Sequence, residues 1–451
     1  MRIMNRIGWI PGRLGVVGVL FLALGLAGGI PAWAEDVGRA SAGVLNVDTG
    51  DTAWVLTSSA LVLAMTMPGL ALFYGGLVRS KNVLATIVQS LVILALVSLI
   101  WVLFGYSLAF GPDVGGVVGS LEWIGLAGVG YTPHPVYGPT IPHQAFMVFQ
   151  LMFAAITPAL ITGAFAERMK FNAVLLFSGL WSVVIYCPLA HWIWGGGWLA
   201  KFGALDFAGG AVVHISSGAA ALACAYAVGP RKGFGTDYMA PHNLPLTVLG
   251  AGLLWFGWFG FNAGSALGAN GNAVSAFVAT HTAAVTATLA WIVVEGWHRG
   301  KPTVLGAATG AVAGLATVTP ASGYIGVGAA VVIGFLAGLA CYFGIVVKGK
   351  FGYDDSLDVV GVHGVGGVLG ILAVGLFASK AINAGAVDGL FYGNPGQLWV
   401  QLVTAVVVLL FSFVGSFVIL KLVDKTVGLR VPAEEEVTGL DLSQHNERAY
   451  S

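Results

Sequence analysis

The sequence predicts an all-α polytopic membrane protein: eleven transmembrane helices, arranged as two inverted five-helix repeats followed by one final helix. The first indication is composition, because 57% of the 451 residues are hydrophobic and only 9% are charged, against roughly 25% charged residues in soluble domains. The second is a series of eleven apolar runs of membrane-spanning length. The third is an excess of glycine, 67 residues, because small residues let helices pack closely in lipid. The net charge of zero gives no indication of a nucleic-acid partner.

The N-terminus has the features of a cleaved signal peptide. Three arginines accompany an apolar stretch, 14–30, and Ala32 and Ala34 occupy the small positions of a cleavage site. We expect residues 1–34 to be removed and residues 35–53 to form a periplasmic segment. A retained first helix is the alternative.

The apolar runs that follow define a transmembrane domain over residues 54–422. The polar remainder, 423–451, is expected to be a cytoplasmic tail. The approximate limits of the runs are 54–77, 84–109, 144–166, 171–192, 206–228, 244–263, 272–296, 303–319, 324–347, 359–379 and 398–422.

The basic residues set the orientation. With the mature N-terminus outside, the inner loops and the chain from residue 421 to 430 carry thirteen lysines and arginines, and the outer loops between spans carry two, Lys201 and Lys380. Basic residues favour the cytoplasmic side, and a cleaved signal peptide requires the same arrangement, as expected for a bacterial cytoplasmic (inner) membrane protein. The thirteen are Arg79, Lys81, Arg168, Lys170, Arg231, Lys232, Arg299, Lys301, Lys348, Lys350, Lys421, Lys425 and Arg430.

The segments outside the membrane show no catalytic pattern. The outer connection, 110–143, is rich in proline and glycine and is predicted to be a loop, and no Walker, GxGxxG or HExxH pattern occurs in the chain. Cys187, Cys224 and Cys341 lie in apolar stretches without CxxC spacing, which indicates buried thiols. We therefore expect neither an enzyme nor a cofactor or metal site.

Two predicted helices share one pattern in opposite orientations. "DFAG" begins the fifth helix from outside and "DVVG" begins the tenth from inside, which places Asp206 and Asp358 at helix N-termini. A carboxylate there can accept hydrogen bonds from free backbone N–H groups. A histidine follows in each helix, His214 and His363. Five helices per half give the halves opposite orientations, as in transporters built from inverted repeats.

Three histidines, His214, His281 and His363, lie deep within predicted spans, where ionisable groups are costly and usually functional. For His281 we expect a neutral imidazole hydrogen-bonded between packed helices. For the other two, a rise of about 1.5 Å per residue leaves a gap of roughly 10 Å within a core about 30 Å thick. The sequence alone therefore does not establish that they touch.

Aromatic residues cluster towards the outer ends of neighbouring helices. Trp194 ends the fourth helix, Phe149 and Phe153 lie one turn apart on the third, and Phe261 and Ser265 end the sixth. Aromatic faces attract cations, most strongly where the site is partly desolvated. An interfacial aromatic belt or simple core filling is the alternative for each of them.

Six motifs occur in the order seen in the ammonium transporter family, which is related to the Rhesus proteins. They are "MPGLALFYGGLVRSKN", "ALDFAGGAVVHISSGAAAL", "PHNLP", "GWFGFNAGSA", "TPASGYIG" and "DVVGVHGVGG". The chain resembles that family over residues 54–432 and departs from it only in the outer loop 111–142 and around 380–397.

The resemblance implies ammonium uptake through a pore within each subunit of a homotrimer, with a PII-type signal protein at the cytoplasmic face. In that family's terms, Trp194, Phe153 and Ser265 resemble an outer ammonium-binding site, with Phe149 beside it. Phe153 and Phe261 resemble a gate, and His214 and His363 resemble the paired imidazoles of the pore. Asp206, and Asp358 at the matching position, resemble structural supports.

The expected chemistry is loss of a proton from ammonium, passage of ammonia through an apolar pore, and separate relay of the proton. A neutral imidazole both donates and accepts hydrogen bonds, whereas potassium and sodium have no proton to lose. Conduction of neutral ammonia without the proton remains an alternative, as does an ammonium sensor of the same fold. A membrane redox subunit that binds haem or a metal would need more histidine, carboxylate or cysteine ligands than this pair offers.

Overall fold

The computed structural model describes residues 46–450, so the predicted signal peptide lies outside the described residues. Ten helices in this range are long and apolar enough to cross a membrane, and an eleventh apolar helix, Val304–Val318, is shorter. We number these eleven helices α1 to α11 in chain order, so that Val304–Val318 is α8. The ten long helices are Thr49–Leu77, Ser80–Phe110, His143–Phe165, Phe171–Phe202, Gly210–Val228, Leu244–Gly264, Gly271–Arg299, Val327–Phe351, Val360–Phe377 and Pro395–Thr426.

The prediction of eleven spanning helices therefore holds for ten of the helices in residues 46–450. With 15 residues, α8 is shorter than the roughly 20 residues that a bilayer core about 30 Å thick requires. Most predicted limits agree with the structure within a few residues. The fifth run is corrected at its start, because the helix begins at Gly210 and Asp206 lies in the turn before it.

Polar side chains determine where several helices begin. Asp48 accepts a hydrogen bond from the backbone N–H of Asp51 at the start of α1, and Asn243 accepts one from Leu246 at the start of α6. Thr303 does the same for Gly306 in α8. Each contact satisfies a backbone donor that the first turn of a helix leaves free.

Helices α5 and α10 start with π-helical turns, Gly210–Ile215 and Val360–Gly364, and these turns contain His214 and His363. Glycines bring the two helices together: a Cβ on Gly218 would lie 2.3 Å from Cα of Gly364. No other residue fits there. The close crossing carries the two histidines to the same depth, which a simple rise along two straight helices does not predict.

The outer connection between α2 and α3 is more ordered than a plain loop. It contains two short antiparallel hairpins, Asp113–Val114 with Val118–Gly119 and Pro133–His134 with Gly138–Pro142. The ring of Tyr137 stacks on Phe146 at 5.1 Å and meets Phe110 edge-on at 5.2 Å. Aromatic contacts thus hold the second hairpin against the ends of α2 and α3.

The loops that were predicted to lie inside meet at the opposite end of the molecule. Glu167 pairs with Arg79 and Arg231, and Arg231 also pairs with Asp354. The tail returns to this end as two short helices, Ala433–Thr438 and Leu440–His445. Their placement agrees with the grouping of loops that the charge distribution predicts.

Candidate functional site

The crossing of α5 and α10 places His214 and His363 in contact. Their Nδ1 atoms are 3.2 Å apart, and their rings are nearly parallel, with centroids 5.1 Å apart. We call these two residues the histidine pair. Because one Nδ1 must donate to the other, the pair shares a proton between neutral rings, and each outward Nε2 is left to act as donor or acceptor.

The surroundings of the histidine pair are apolar. His214 is buried, its Nε2 has no hydrogen-bond partner in the described residues, and its ring stacks on Trp258 at 5.6 Å. Trp258 is held by a hydrogen bond of 2.9 Å from its Nε1 to Oγ1 of Thr319. A small cavity of about 10 Å³ lies beside the pair. It is lined by aliphatic and aromatic side chains, among them Met65, Leu70, Phe73, Ile156, Leu254 and Val312.

Two phenylalanines close the passage on the outer side of His214. The rings of Phe153 and Phe261 stack with centroids 4.1 Å apart, and Phe261 lies 6.2 Å from the ring of His214. We call Phe153 and Phe261 the gate pair. Phe149 is fully buried and meets Phe153 edge-on at 5.0 Å, so it supports the gate from behind.

Trp194 and Ser265 lie on the outer side of the gate pair. The ring of Trp194 meets Phe153 edge-on at 5.9 Å, and its Nε1 donates a hydrogen bond of 2.8 Å to the carbonyl of Asp206. The hydroxyl of Ser265 donates to the carbonyl of Phe261 at 2.8 Å, which leaves its oxygen lone pairs free to accept. We call Trp194, Phe153 and Ser265 the outer site.

Asp206 organises the turn between the outer site and α5. Its carboxylate accepts hydrogen bonds from the four successive backbone N–H groups of Gly209, Gly210, Ala211 and Val212, at 2.7–3.1 Å. The side chain is buried, with the residue 4% exposed. It therefore supports the first turn of α5 and does not point at the passage.

The sequence-based assignment of Asp358 as the equivalent cap of α10 is wrong. The backbone N–H of Val360 donates to Asp355, at 2.7 Å, whereas the carboxylate of Asp358 contacts Nζ of Lys348. The backbone at Asp358 itself is in the left-handed conformation, with φ of 63°. That backbone turn directs the Asp358 side chain away from the first turn of α10.

A cavity of about 380 Å³ leads from the inner loops to His363, and we call it the inner vestibule. Charged groups line its mouth, including Arg231, Glu295, Arg299 and Asp358, and aromatic rings line its walls. Arg231 and its neighbour Arg168 outweigh the effect of burial and lower the pKa of Asp354. Burial raises the pKa of Asp355 to about 6. The inner end is therefore a network of paired charges.

In the residues that the structure describes, no group of three or more histidine, cysteine, aspartate or glutamate side chains could hold a metal ion. The three cysteines are free and buried. The histidine pair alone offers too few ligands for the haem or metal site considered above.

Comparison with known proteins decides the family. A family model described as the Ammonium Transporter Family matches residues 53–450. The chain belongs to the ammonium transporter family. It is 53% identical over 402 residues to an ammonium transporter of Bacillus subtilis, which covers 89% of this chain and 98% of the relative.

Solved structures agree with this assignment. The fold matches the crystal structure of Candida albicans Mep2 with a TM-score of 0.82 and 36% identity, covering 87% of this chain and 89% of that one. It also matches a structure titled "Sensor Amt Protein" with a TM-score of 0.79 and 30% identity, covering 88% and 98%. The protein is thus a membrane-spanning ammonium transporter, and its family is one of transporters, not enzymes.

Two features of the transporter were not predicted from its sequence. His191 is completely buried and bonded at both ring nitrogens, whereas the sequence pattern draws attention only to Trp194 in the same stretch. Asp355 supplies the cap assigned to Asp358. The doubled aspartate in "YDDSLD" is a signal that could have raised Asp355 as a candidate.

The expectation for His281 is also corrected. Its side chain is exposed on the outer surface of α7, against Trp255 and Phe259 with ring centroids 5.5 and 6.2 Å away, and it is not enclosed between packed helices. The periodicity of α7 leaves this position on the face turned away from α8 and α9. His281 therefore takes no part in the passage.

Proposed function

We propose that the transporter binds ammonium at the outer site, removes one proton, and conducts ammonia past the histidine pair while the proton crosses separately. The observation that carries this proposal is the contact between His214 and His363 inside an apolar passage closed by the gate pair. This arrangement supplies hydrogen-bonding groups without any charged partner for a cation.

The outer site has the chemistry of a cation-binding site. Trp194 and Phe153 present aromatic faces, which bind a partly desolvated cation by roughly 0.5–2 kcal/mol each. Ser265 adds a free acceptor beside them. Ammonium is a hydrogen-bond donor in all directions, so this combination of ring faces and one oxygen suits it.

The passage beneath the gate is unsuited to any ion. Moving an unpaired charge into an apolar interior costs several kcal/mol even after relaxation, and no carboxylate among the residues lining the small cavity compensates it. Ammonium avoids this cost by losing its proton. Potassium and sodium cannot, so the same passage rejects them.

The histidine pair gives the proton a separate route. With the Nδ1 atoms sharing one hydrogen, the pair has an acceptor Nε2 at one end and a donor Nε2 at the other. A proton taken up at the first Nε2 allows the shared hydrogen to shift and the second Nε2 to release its own. The inner vestibule then receives the proton and ammonia together.

The decisive measurement is the ammonium-driven current of proteoliposomes that contain wild-type protein or the double variant His214→Ala, His363→Ala. We expect the variant to lose the current, while His281→Ala, which removes an exposed histidine outside the passage, keeps it. Size-exclusion profiles establish that all three proteins are folded. An unchanged ammonium current and selectivity in the folded double variant would contradict the proposal.

We further propose that the transporter is a homotrimer of the bacterial inner membrane with its tail from residue 423 in the cytoplasm. The inner loops contact the tail, since the backbone N–H of Lys232 donates to the carboxylate of Glu436, and they carry the excess of basic residues, which favours this orientation. Reporter fusions to the tail test the orientation, and mass measurement in detergent tests the trimer. Mass spectrometry of the mature N-terminus tests cleavage after residue 34.

We also propose that a PII-type signal protein binds the cytoplasmic face. The segment Asp424–Pro432, with a left-handed turn at Gly428, holds the tail beside basic loops, where Lys170 donates to the carbonyl of Val427 at 3.0 Å. Purification from cells shifted suddenly to high ammonium should recover the PII protein with the transporter. Its repeated absence would count against this partner.

A sensor is the second candidate, because the chain also matches a structure titled "Sensor Amt Protein". The two functions differ in flux. A sensor would bind ammonium in proteoliposomes and pass almost no current, whereas the transporter carries sustained current.

A further inference from the structure

His191 lies near the end of the helical segment Cys187–Ile193 within α4, three residues before Trp194, and is a buried histidine that the proposed transport path does not use. Its Nδ1 is 2.9 Å from the carbonyl oxygen of Ala109. Its Nε2 is 3.0 Å from Oδ1 of Asp113. Both ring nitrogens thus have well-placed oxygen partners.

Neither partner has a hydrogen to offer. A backbone carbonyl only accepts, and an ionised carboxylate only accepts. Asp113 is ionised, because Lys201 at 2.6 Å, with His191 as the next contribution, lowers the pKa of its carboxyl to about 2. His191 must therefore donate from both nitrogens, and an imidazole with two N–H groups carries a positive charge.

Three sources of negative potential converge on this imidazole. Asp113 provides a full charge, and Ala109 belongs to the last turn of α2, whose free carbonyls form the negative end of that helix. His191 also lies in the last turn of its own helical segment, Cys187–Ile193. Lys201 places one positive charge close to this site. Its side chain is 62% exposed and it contacts Oδ2 of Asp113, the carboxylate oxygen that His191 does not contact.

The Trp194 turn has a further contact, from the hydroxyl of Tyr137 to the carbonyl of Gly195 at 3.3 Å.

The same histidine is the centre of the turn that carries Trp194. The carbonyl of His191 accepts hydrogen bonds from Gly195 at 3.0 Å and Gly197 at 2.9 Å. A Cβ on Gly195 would lie 2.2 Å from the Ala109 carbonyl and 2.6 Å from Nδ1 of His191, so the turn closes directly over the ring. Packing therefore requires glycine at Gly195 and Gly197, and Gly196 between them has a left-handed backbone with φ of 81°.

We propose that His191 is an imidazolium ion in the folded transporter and acts as a positioning residue for Trp194, by connecting the Trp194 turn to the end of α2 and to the Asp113 hairpin. This inference rests on the proposed function in so far as Trp194 is the ring that binds ammonium. The charged form matters because a neutral ring would leave one nitrogen lone pair facing an oxygen lone pair. One of the two hydrogen bonds of His191 would then be lost, and the Trp194 turn would be held less firmly.

Two independent measurements test the proposal on the full-length transporter in lipid. The first is solid-state ¹⁵N NMR of histidine-labelled protein at neutral pH, with the His191 signals identified by their absence in His191→Gln. We expect both His191 nitrogens to carry a proton in the wild type, and only one in Asp113→Asn, where the acceptor has lost its charge. A wild-type spectrum with one unprotonated His191 nitrogen would overturn the proposal, whatever the transport result.

The second measurement is the dependence of current on ammonium concentration. We expect His191→Gln and Asp113→Asn to raise the half-saturating concentration by about fivefold, because each removes a charge-assisted hydrogen bond that is roughly twice as strong as a neutral one. Maximal current and exclusion of potassium should change little, since the gate and histidine pairs are untouched. His242→Gln is the matched control, because His242 also has oxygen partners at both ring nitrogens, the carbonyl of Val78 and the hydroxyl of Tyr450, but lies among the inner loops. It should match the wild type.

The outcomes separate this inference from the proposed function. A loss of maximal current in folded His191→Gln with unchanged half-saturation would indicate a general structural role and overturn the positioning role. If the wild type itself carried no current, the proposed function would fail. The NMR result would still decide the charge of His191.

Discussion

The starts of α5 and α10 bring the same residue, histidine, to the same place from opposite ends of the molecule, but they satisfy their carboxylates differently. At the outer end, Asp206 accepts four backbone N–H groups, and no lysine or arginine in residues 46–450 lies within 4.0 Å of it. At the inner end, Asp355 caps α10 with one N–H, and Lys348 and Arg231 pair with the neighbouring Asp358 and Asp354.

This difference fits the roles that the proposed function gives to the two ends. In the proposed function, a lysine or arginine paired with Asp206 would stand at the start of α5 and repel ammonium at the outer site. The charge proposed for His191 differs, because it is paired with the carboxylate of Asp113 at 3.0 Å. A carboxylate satisfied entirely by backbone dipoles keeps its negative charge near the site without introducing a competing side chain. In the proposed function the inner end only releases ammonia and the proton, so paired charges there are free to hold the loops and the tail together.

The largest expected effect tests this comparison directly. Asp206→Ala should prevent stable folding, because it leaves four N–H groups of α5 without an acceptor, at about 1–3 kcal/mol for each buried group. Asp355→Ala removes the acceptor of a single backbone N–H group, that of Val360. This variant should therefore accumulate as folded protein with a modestly lower melting temperature. Thermal unfolding in detergent, followed by tryptophan fluorescence, measures both. Similar melting temperatures for the two variants would contradict the difference drawn here.

A smaller effect is expected from a charge placed between the two ends. His214→Glu should keep part of the ammonium current but admit potassium, because a carboxylate lets a cation remain charged within the passage. His363→Glu should admit less, since His363 borders the inner vestibule and His214 lies in the apolar segment below the gate. Currents under opposed ammonium and potassium gradients measure the selectivity. Full exclusion of potassium by folded His214→Glu would argue that the apolar walls alone select.

Much of the fold could be predicted from the sequence because it depends on composition and helical length. The eleven apolar segments, the grouping of basic loops and the residues of the outer site all follow from hydropathy, charge or motif. The contact between His214 and His363 could not be predicted, because it depends on the glycine crossing at Gly218 and Gly364. A one-dimensional rise along two helices contains no information about how closely they approach.

Two features of the site, the cap of α10 and the contacts of His191, also depend on geometry that the sequence does not show. Asp358 was assigned as a cap from its place in the motif, but one left-handed residue turns its side chain towards Lys348 and leaves the cap to Asp355. The sequence does not single out His191, because its two hydrogen-bond partners, the carbonyl of Ala109 and the carboxylate of Asp113, are distant in sequence. Both depend on backbone turns outside the regular helices, where periodicity does not apply.

The next effect concerns the outer end alone. Trp194→Leu should raise the half-saturating ammonium concentration by about threefold to tenfold, as expected for the loss of one cation–π contact worth roughly 0.5–2 kcal/mol. Potassium should stay excluded, since the ring lies outside the gate pair. Trp255→Leu, which changes a partly buried tryptophan of α6 beside His281, is the control. Potassium current through folded Trp194→Leu would mean that the outer site, not the passage, selects.

The smallest effect concerns the inner end and its dependence on pH. Burial raises the pKa of Asp355 from 3.8 to about 6, so between these values the folded protein keeps a proton that the unfolded chain has released. The contribution of Asp355 to stability is therefore fully present below pH 4 and falls as pH rises to about 6. Asp355→Asn has no such proton, so its melting temperature should rise relative to the wild type across that range. A constant difference in melting temperature between Asp355→Asn and the wild type across that range would place the ionisation of Asp355 outside it.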